Sequence, residues 1–357
     1  MNAYRYERMK RPLLKRRLIQ AKEIEGEPCL YLHRSLQRSI RETAAKSPAK
    51  RQEVFEQALI IVRKVFPASS PIQVPEPSSW REHQKLLPHV MSLHSAFVEA
   101  RQGIRGSKKF ASLLSDAGIN QWARGFTRDG LLLLETAEQV LDSISSVDLN
   151  TFDELHVMRA DINAIIALMH DNTGISTRAA GLYRRKIALD IRGKRMESLT
   201  QISRVEETLL YNARLDYAIS LLQYNRYEDA EPILDDCLVK YQEWGTPKDI
   251  PFEYAKYNHK MAFIRMYQGN YNEAIELGQL GVQYMDETGN EALMLRFKFD
   301  LACIHLQSGR VDKAFELHRE VLEKRIVVCG KVNEGTLQSY YAVGALHELR
   351  EEFAAAE

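Results

Sequence analysis

The stretch NRYEDAEP at 225–232 returns as GNYNEAIE at 269–276, GRVDKAFE at 309–316 and EEFAAAE at 351–357. The alanines in register are Ala230, Ala274, Ala314 and Ala356, spaced 44, 40 and 42 residues apart. A fixed period of this size marks a solenoid, whose units cannot bury their apolar faces alone and must stack. Twelve places before each alanine stands another small residue: Ala218, Ala262, Ala302 and Gly344. One place earlier comes a bulkier one: Tyr217, Met261, Leu301 and Val343. Three places before each alanine lies an apolar anchor: Tyr227, Tyr271, Val311 and Phe353. Such spacing suits two helices that approach closely at the small residues and fill the gap beside them with the large ones.

Working outward, each unit reads as two helices joined by a tight turn. After residue 150 no strand alternation appears, and glycine and proline fall mainly between helices, as at Gly245, Pro251, Gly269, Gly309 and Gly330. Near the N-terminus, LLKRRLIQ (13–20) and CLYLHRS (29–35) flank EIEGEP, which predicts a β-hairpin or wing. Helices are expected from Ser35 and again from Arg51 to Phe66. In FPASSPIQVPEPSSW (66–80), Pro67, Pro71, Pro75 and Pro77 forbid helix continuation, so this is a connector, expected to pack through Ile72, Val74 and Trp80. Helices then resume at about 81–100, 108–117 and 120–145, and SSVDLN (145–150) is a break. The predicted fold class is all-α: a helix-turn-helix solenoid over 154–357, a helical linker region over 46–150 with the connector at 67–79, and a hairpin-bearing segment over 1–45.

Composition narrows the function. With 357 residues, 27% charged and 45% hydrophobic, the chain reads as an ordinary folded protein. Its net charge of +1 offers no global field for nucleic acid or a membrane surface, so neither is an expected partner. Four scattered cysteines (29, 237, 303 and 329) suit free thiols in a reducing compartment rather than a disulfide framework or a zinc site. No apolar run reaches the ~18 residues of a membrane span. The basic N-terminus has no apolar core of signal-peptide length. The expected compartment is the cytoplasm.

The repeat resembles the tetratricopeptide repeat (TPR) over about 205–357, in four units with the last incomplete. A degenerate fifth unit is expected at about His156–Arg192, with YRRKIALDIR as its second helix. The period exceeds the usual ~34 residues. In that respect EPILDDCLVKYQEWG and ELHREVLEKRIVVCGKVNEGTLQSYYAVGALHE resemble the longer repeats of kinesin light chains. A second resemblance lies over about 13–100. The runs RRLIQ…CLYLHRSLQRSI, RQEVFEQALIIVRKVFP and SPIQVPEPSSWREHQKLLPHVMSLHSAF look like the segment after the nucleotide-binding module in fungal NLR-like, STAND-type ATPases with TPR arrays. This resemblance implies that residues 1–45 are the tail of a winged-helix-like domain. It also implies a sensor role beside an upstream ATPase module, which this sequence lacks. The fourth repeat stops one residue after Ala356, so the chain reads as a piece of a larger protein or a truncated gene product.

No local motif carries chemistry. GIRGSKK (103–109) lacks the phosphate-loop spacing GxxxxGK[ST], so no nucleotide or other cofactor is expected. His89 and His94 are five apart, whereas zinc ligands on one helix face want four. The cluster Arg5, Arg8, Lys10, Arg11, Lys15, Arg16 and Arg17 is interrupted by apolar residues and reads as the edge of a folded wing. No catalytic or metal residues are predicted, and the chain is not expected to be an enzyme.

The expected site is the concave groove formed by the first helix of each unit. Candidate residues are Asn212, Leu215 and Ile219; Lys256, His259, Phe263 and Tyr267; Arg296, Phe299 and Cys303; and Gln338 and Tyr341. Aromatic anchors with a few cations suit a protein or peptide ligand. They do not suit a chaperone-type carboxylate clamp, because Leu215, Ile219 and Phe263 stand where lysine and asparagine are wanted. The predicted function is non-catalytic protein binding, as the sensor region of an NLR-like protein. The alternative is a free-standing adapter of kinesin-light-chain type.

Overall fold

The computed structural model describes residues 3–24, 26–70, 74–100, 103–144, 152–173 and 177–351. Among these there are fifteen α-helices and one two-stranded sheet. None of the helices is long and apolar enough to cross a membrane. The chain divides into two compact units. One is Met1–Ile61 with Ser92–Arg105, and the other is Val62–Met91 with Gly106–Glu357.

In the first unit, α1 (Ala3–Lys15) leads into an antiparallel hairpin, β1 (Ile19–Ile24) and β2 (Glu27–Leu32), with Ile19 opposite Leu32. The hairpin is present, but its first strand starts later than residue 13. Residues 13–15 complete α1, and Arg17 takes a positive φ of 55° before the strand begins. Then come α2 (Arg34–Ala45), α3 (Pro48–Val65) and α4 (Pro77–Glu99); α3 and α4 each contribute to both units. The rings of Phe55 and Phe97 lie 6.4 Å apart. Gln52 accepts from the Arg105 amide at 2.8 Å, closing this unit.

The second unit is a run of helix pairs: α5 (Lys108–Ala123) with α6 (Thr127–Ile144), α7 (Phe152–Thr173) with α8 (Arg178–Ser198), and α9 (Arg204–Gln223) with α10 (Tyr227–Trp244). It continues with α11 (Pro251–Tyr267) and α12 (Tyr271–Glu287), α13 (Glu291–Gln307) and α14 (Val311–Val328), and α15 (Glu334–Leu349). Each helix packs on the next, so the core is a continuous seam rather than one centre. Ala218, Ala230, Ala262, Ala274, Ala302 and Ala314 are all fully buried. Gly344 is partly buried, and Ala356 and Phe353 lie outside the described residues. Five places before each repeat alanine the chain must reverse: Asn225, Gly269, Gly309 and Glu351 have φ of 58°, 81°, 78° and 60°. Glycine adopts this left-handed backbone freely and asparagine tolerates it; glutamate is strained there.

The helix expected to stop at residue 117 runs on to Ala123. Gly118 is not a break but a crossing point. A Cβ there would lie 3.1 Å from the Gly130 carbonyl oxygen, and one on Gly130 would lie 2.8 Å from the Gly118 oxygen. These glycines are twelve apart, and Gly125 turns the chain five places before Gly130 with φ 75°. The α5–α6 pair thus repeats the spacing of the later units with glycine in place of alanine. Within this unit the array winds round on itself. Thr127 donates to Glu334 at 2.5 Å, and Asn333 donates to the Arg124 carbonyl.

Candidate functional site

The first helices of the pairs, joined by α8 and α14, line the cavities inside this winding. A cavity of about 520 Å³ is bounded by α5, α7, α8, α9 and α11, with Trp122, Ile165, Asn212 and Lys256 among its walls. A second, of about 290 Å³, is bounded by α13, α14 and α15, with Arg296, Phe299, Asp300 and Gln338. Both also touch the connector: Ser69, Ser70 and Val74 line the first, Val74 and Pro75 the second.

The larger cavity is polar in pairs. Arg192 meets Asp161, Arg195 meets Glu206 at 3.1 Å, and Lys256 meets Asp216 at 3.3 Å while donating to Asn212 at 3.1 Å. Farther along, His259 and Asp300 are hydrogen-bonded at 2.8 Å. Burial pulls the His259 pKa down to about 4, so the imidazole is neutral at pH 7. Among the described residues neither Lys260 nor Arg296 forms a salt bridge, though both feel the charge of Asp300. Lys260 lies 5.9 Å from the Phe263 ring, and burial, helped by Arg296, pulls its pKa down to about 8.

The predicted groove residues separate into two sets. Asn212 and Lys256 meet in the larger cavity; Arg296, Phe299 and Gln338 meet in the smaller one. Leu215 must be corrected: it is fully buried in the core shared by α9, α10 and α11 and has no surface to offer a ligand. Ile219 and Phe263 pack against that same core. His259 is buried, stacked on Phe297 at 4.0 Å, and lines neither cavity. Cys303 sits with its sulfur 3.9 Å from His318 Nε2. Tyr267 is half exposed and stacks on Tyr227 at 5.1 Å, while Tyr341 is 82% exposed and lines neither cavity. Sequence reasoning missed Asp161, Arg192, Asp216, Lys260 and Asp300. The signal was available in the helical period: Asn212–Asp216, Phe252–Lys256–Lys260 and Arg296–Asp300 are each four apart.

Cys303, His318 and Asp300 form a grouping that no local motif could reveal. It is not poised for nucleophilic chemistry. Burial pushes the Cys303 thiol up to about 12, and burial with Arg325 pulls His318 down to about 4. A protonated thiol beside a neutral imidazole is a packing contact, since the thiolate is the nucleophile. Among the described residues no group of three or more His, Cys, Asp or Glu side chains converges as a metal would require.

Residues 300–333 match the tetratricopeptide repeat family. Among solved structures, the chain is similar to NprR in complex with its cognate peptide NprX. That likeness has 13% identity, a TM-score of 0.58, and covers 89% of this chain and 81% of that one. The fold is a TPR-like α-solenoid. Other similar structures are the Rap conjugation gene regulator of plasmid pLS20 with the Phr* peptide and a STAND protein with a TPR sensor from Pyrococcus horikoshii. The former has 15% identity, TM-score 0.48, and covers 79% of this chain and 81% of that one. The latter has 17% identity, TM-score 0.37, and covers 97% of this chain and 50% of that one. No curated protein sequence matches the chain.

Proposed function

We propose that the inner face of this TPR-like array binds an extended peptide segment of a partner protein and performs no chemistry on it. The observation that carries this reading is the pair of adjacent cations, Lys260 and Arg296, on an inner face where Arg192, Arg195 and Lys256 each meet a carboxylate. Two adjacent cations, one of them, Arg296, lining the smaller cavity, suit a ligand that brings a carboxylate. The fold likeness to NprR in complex with a peptide supports the same class of ligand. The N-terminal sequence resemblance extends the reading: the array is the sensor part of a STAND-type, NLR-like protein, with an ATPase module as its second partner.

The test is selection of peptides from a random library on the immobilised chain. Selected peptides are expected to carry acidic residues and to lose about tenfold or more in affinity for Lys260→Glu/Arg296→Glu. They should bind Lys313→Glu, a change on the exposed α14 surface, as tightly as the parent chain. Equal affinity for all three proteins would refute the assignment.

A further inference from the structure

The winding closes where the turn between α5 and α6 meets the first residues of α15. Three helix ends share this joint. Asn333 caps α15 with its Oδ1, which accepts from the Gly335 amide at 2.8 Å. Its Nδ2 donates to the carbonyl of Arg124, the residue that ends α5. Glu334 accepts from the Thr127 hydroxyl at 2.5 Å and from the Thr127 amide at 3.2 Å. That amide opens α6, and Phe126 before it has no side-chain acceptor to cap it. Glu334 therefore supplies, from 207 residues away, what the local sequence does not. Gly125 permits the close approach: a Cβ there would stand 2.7 Å from Asn333 Nδ2 and 3.1 Å from the Glu334 amide nitrogen.

The joint is also a wall. Gly125, Asn333, Glu334 and Gly335 line the smaller cavity together with Arg296 and Cys329. Arg325 fastens α15 to α14 through the Gly335 carbonyl and the Ser339 hydroxyl, so these two helices face the α5–α6 turn as one body. The groups that join the two sides are polar. Val332, next in sequence to Asn333, is 77% exposed and does not seal the contact. A joint held by hydrogen bonds parts more readily than a packed apolar seam.

We propose that this joint is a gate: Glu334 and Asn333 hold the smaller cavity closed on the side of the α5–α6 turn, and the array admits its peptide by parting there. This rests on the reading of the inner face as a peptide site and adds how that site is regulated. A ligand that enters only the open form meets a fraction of the chains at any moment, so its uptake is slowed by that fraction. Loosening the joint raises the fraction and speeds entry.

The first measurement needs no ligand. Cys329 lines the smaller cavity, whereas Cys237 is fully buried in the core of α9, α10 and α11. The full chain is treated with N-ethylmaleimide, and the labelling of each cysteine is followed by mass spectrometry of its peptides. Glu334→Ala removes both bonds to Thr127 and should speed labelling of Cys329 about 30-fold, with Cys237 unchanged. Equal Cys329 rates in parent and variant would overturn the proposal. Should Cys237 also react faster, the variant has lost its fold, and Thr127→Ala decides instead. It removes only the hydroxyl's bond and should speed Cys329 labelling about fivefold; no change would overturn the proposal. The second measurement uses a fluorescein-labelled, library-selected peptide. Thr127→Ala alters no charge and should take this peptide up about fivefold faster than the parent. Equal association rates would overturn the gate as the route of entry. If no peptide is selected at all, the peptide-site reading falls, and the Cys329 rates still decide whether the joint closes the cavity.

Discussion

Tyr241→Ala is expected to cost the array about 3–5 kcal/mol, while Tyr241→Phe leaves stability unchanged or raises it slightly. The ring of Tyr241 is fully buried where α9, α10 and α11 meet, 5.4 Å from Trp244 and 6.2 Å from Tyr254. Truncation would open a large cavity at a seam that each neighbouring pair depends on. The hydroxyl, by contrast, is buried with no hydrogen-bond partner among the described residues. Burial pushes its pKa well above the ordinary tyrosine value, so it stays protonated. Removing an unsatisfied hydroxyl restores nothing to water and loses no bond, which is why phenylalanine should serve as well. Urea midpoints followed by circular dichroism test both halves. A destabilised phenylalanine variant would show that the hydroxyl has a partner.

Arg325→Ala is expected to loosen α15 by about 3 kcal/mol, read as roughly 100-fold faster amide exchange along that helix. Arg325 is only 4% exposed, yet it is charged: burial lowers its pKa to about 10, still well above neutrality. Its Nη1 donates to the Gly335 carbonyl at 2.6 Å and to the Ser339 hydroxyl at 2.9 Å, and its guanidinium lies 4.7 Å from the Phe299 ring centroid. One side chain thus joins α13, α14 and α15. Arg325→Lys keeps the charge but not the planar fork, and should fall between parent and alanine. Exchange in α15 unaffected by either change would mean that apolar packing alone holds the last described helix.

The repeat was legible because close helix packing leaves a residue-level mark. Alanines at fixed spacing can be recognised from sequence, and their burial follows from the same steric need. The α5–α6 pair escaped notice because Gly118 and Gly130 meet that need even better, while glycine inside a helix reads as a break. Groove positions were harder. Leu215 and Asp216 are adjacent in sequence, yet one enters the core and the other lines the cavity. A helix rotates by about 100° per residue, so an inner face assigned one position out selects wall rather than surface. The connector's place on the inner face was beyond sequence reasoning altogether. Its contacts, Ser69 with Asp116 and Val74 with Asn290, span 47 and 216 residues and involve backbone atoms that carry no sequence signal.

The most direct test of the inner-face assignment is site-specific photo-crosslinking of a library-selected peptide. A crosslinking side chain at Asn212, Arg296 or Gln338 is expected to capture it. One at Val239, Leu280 or Val327, exposed apolar positions on α10, α12 and α14, is expected to capture none. Capture at the second set and not the first would contradict the account.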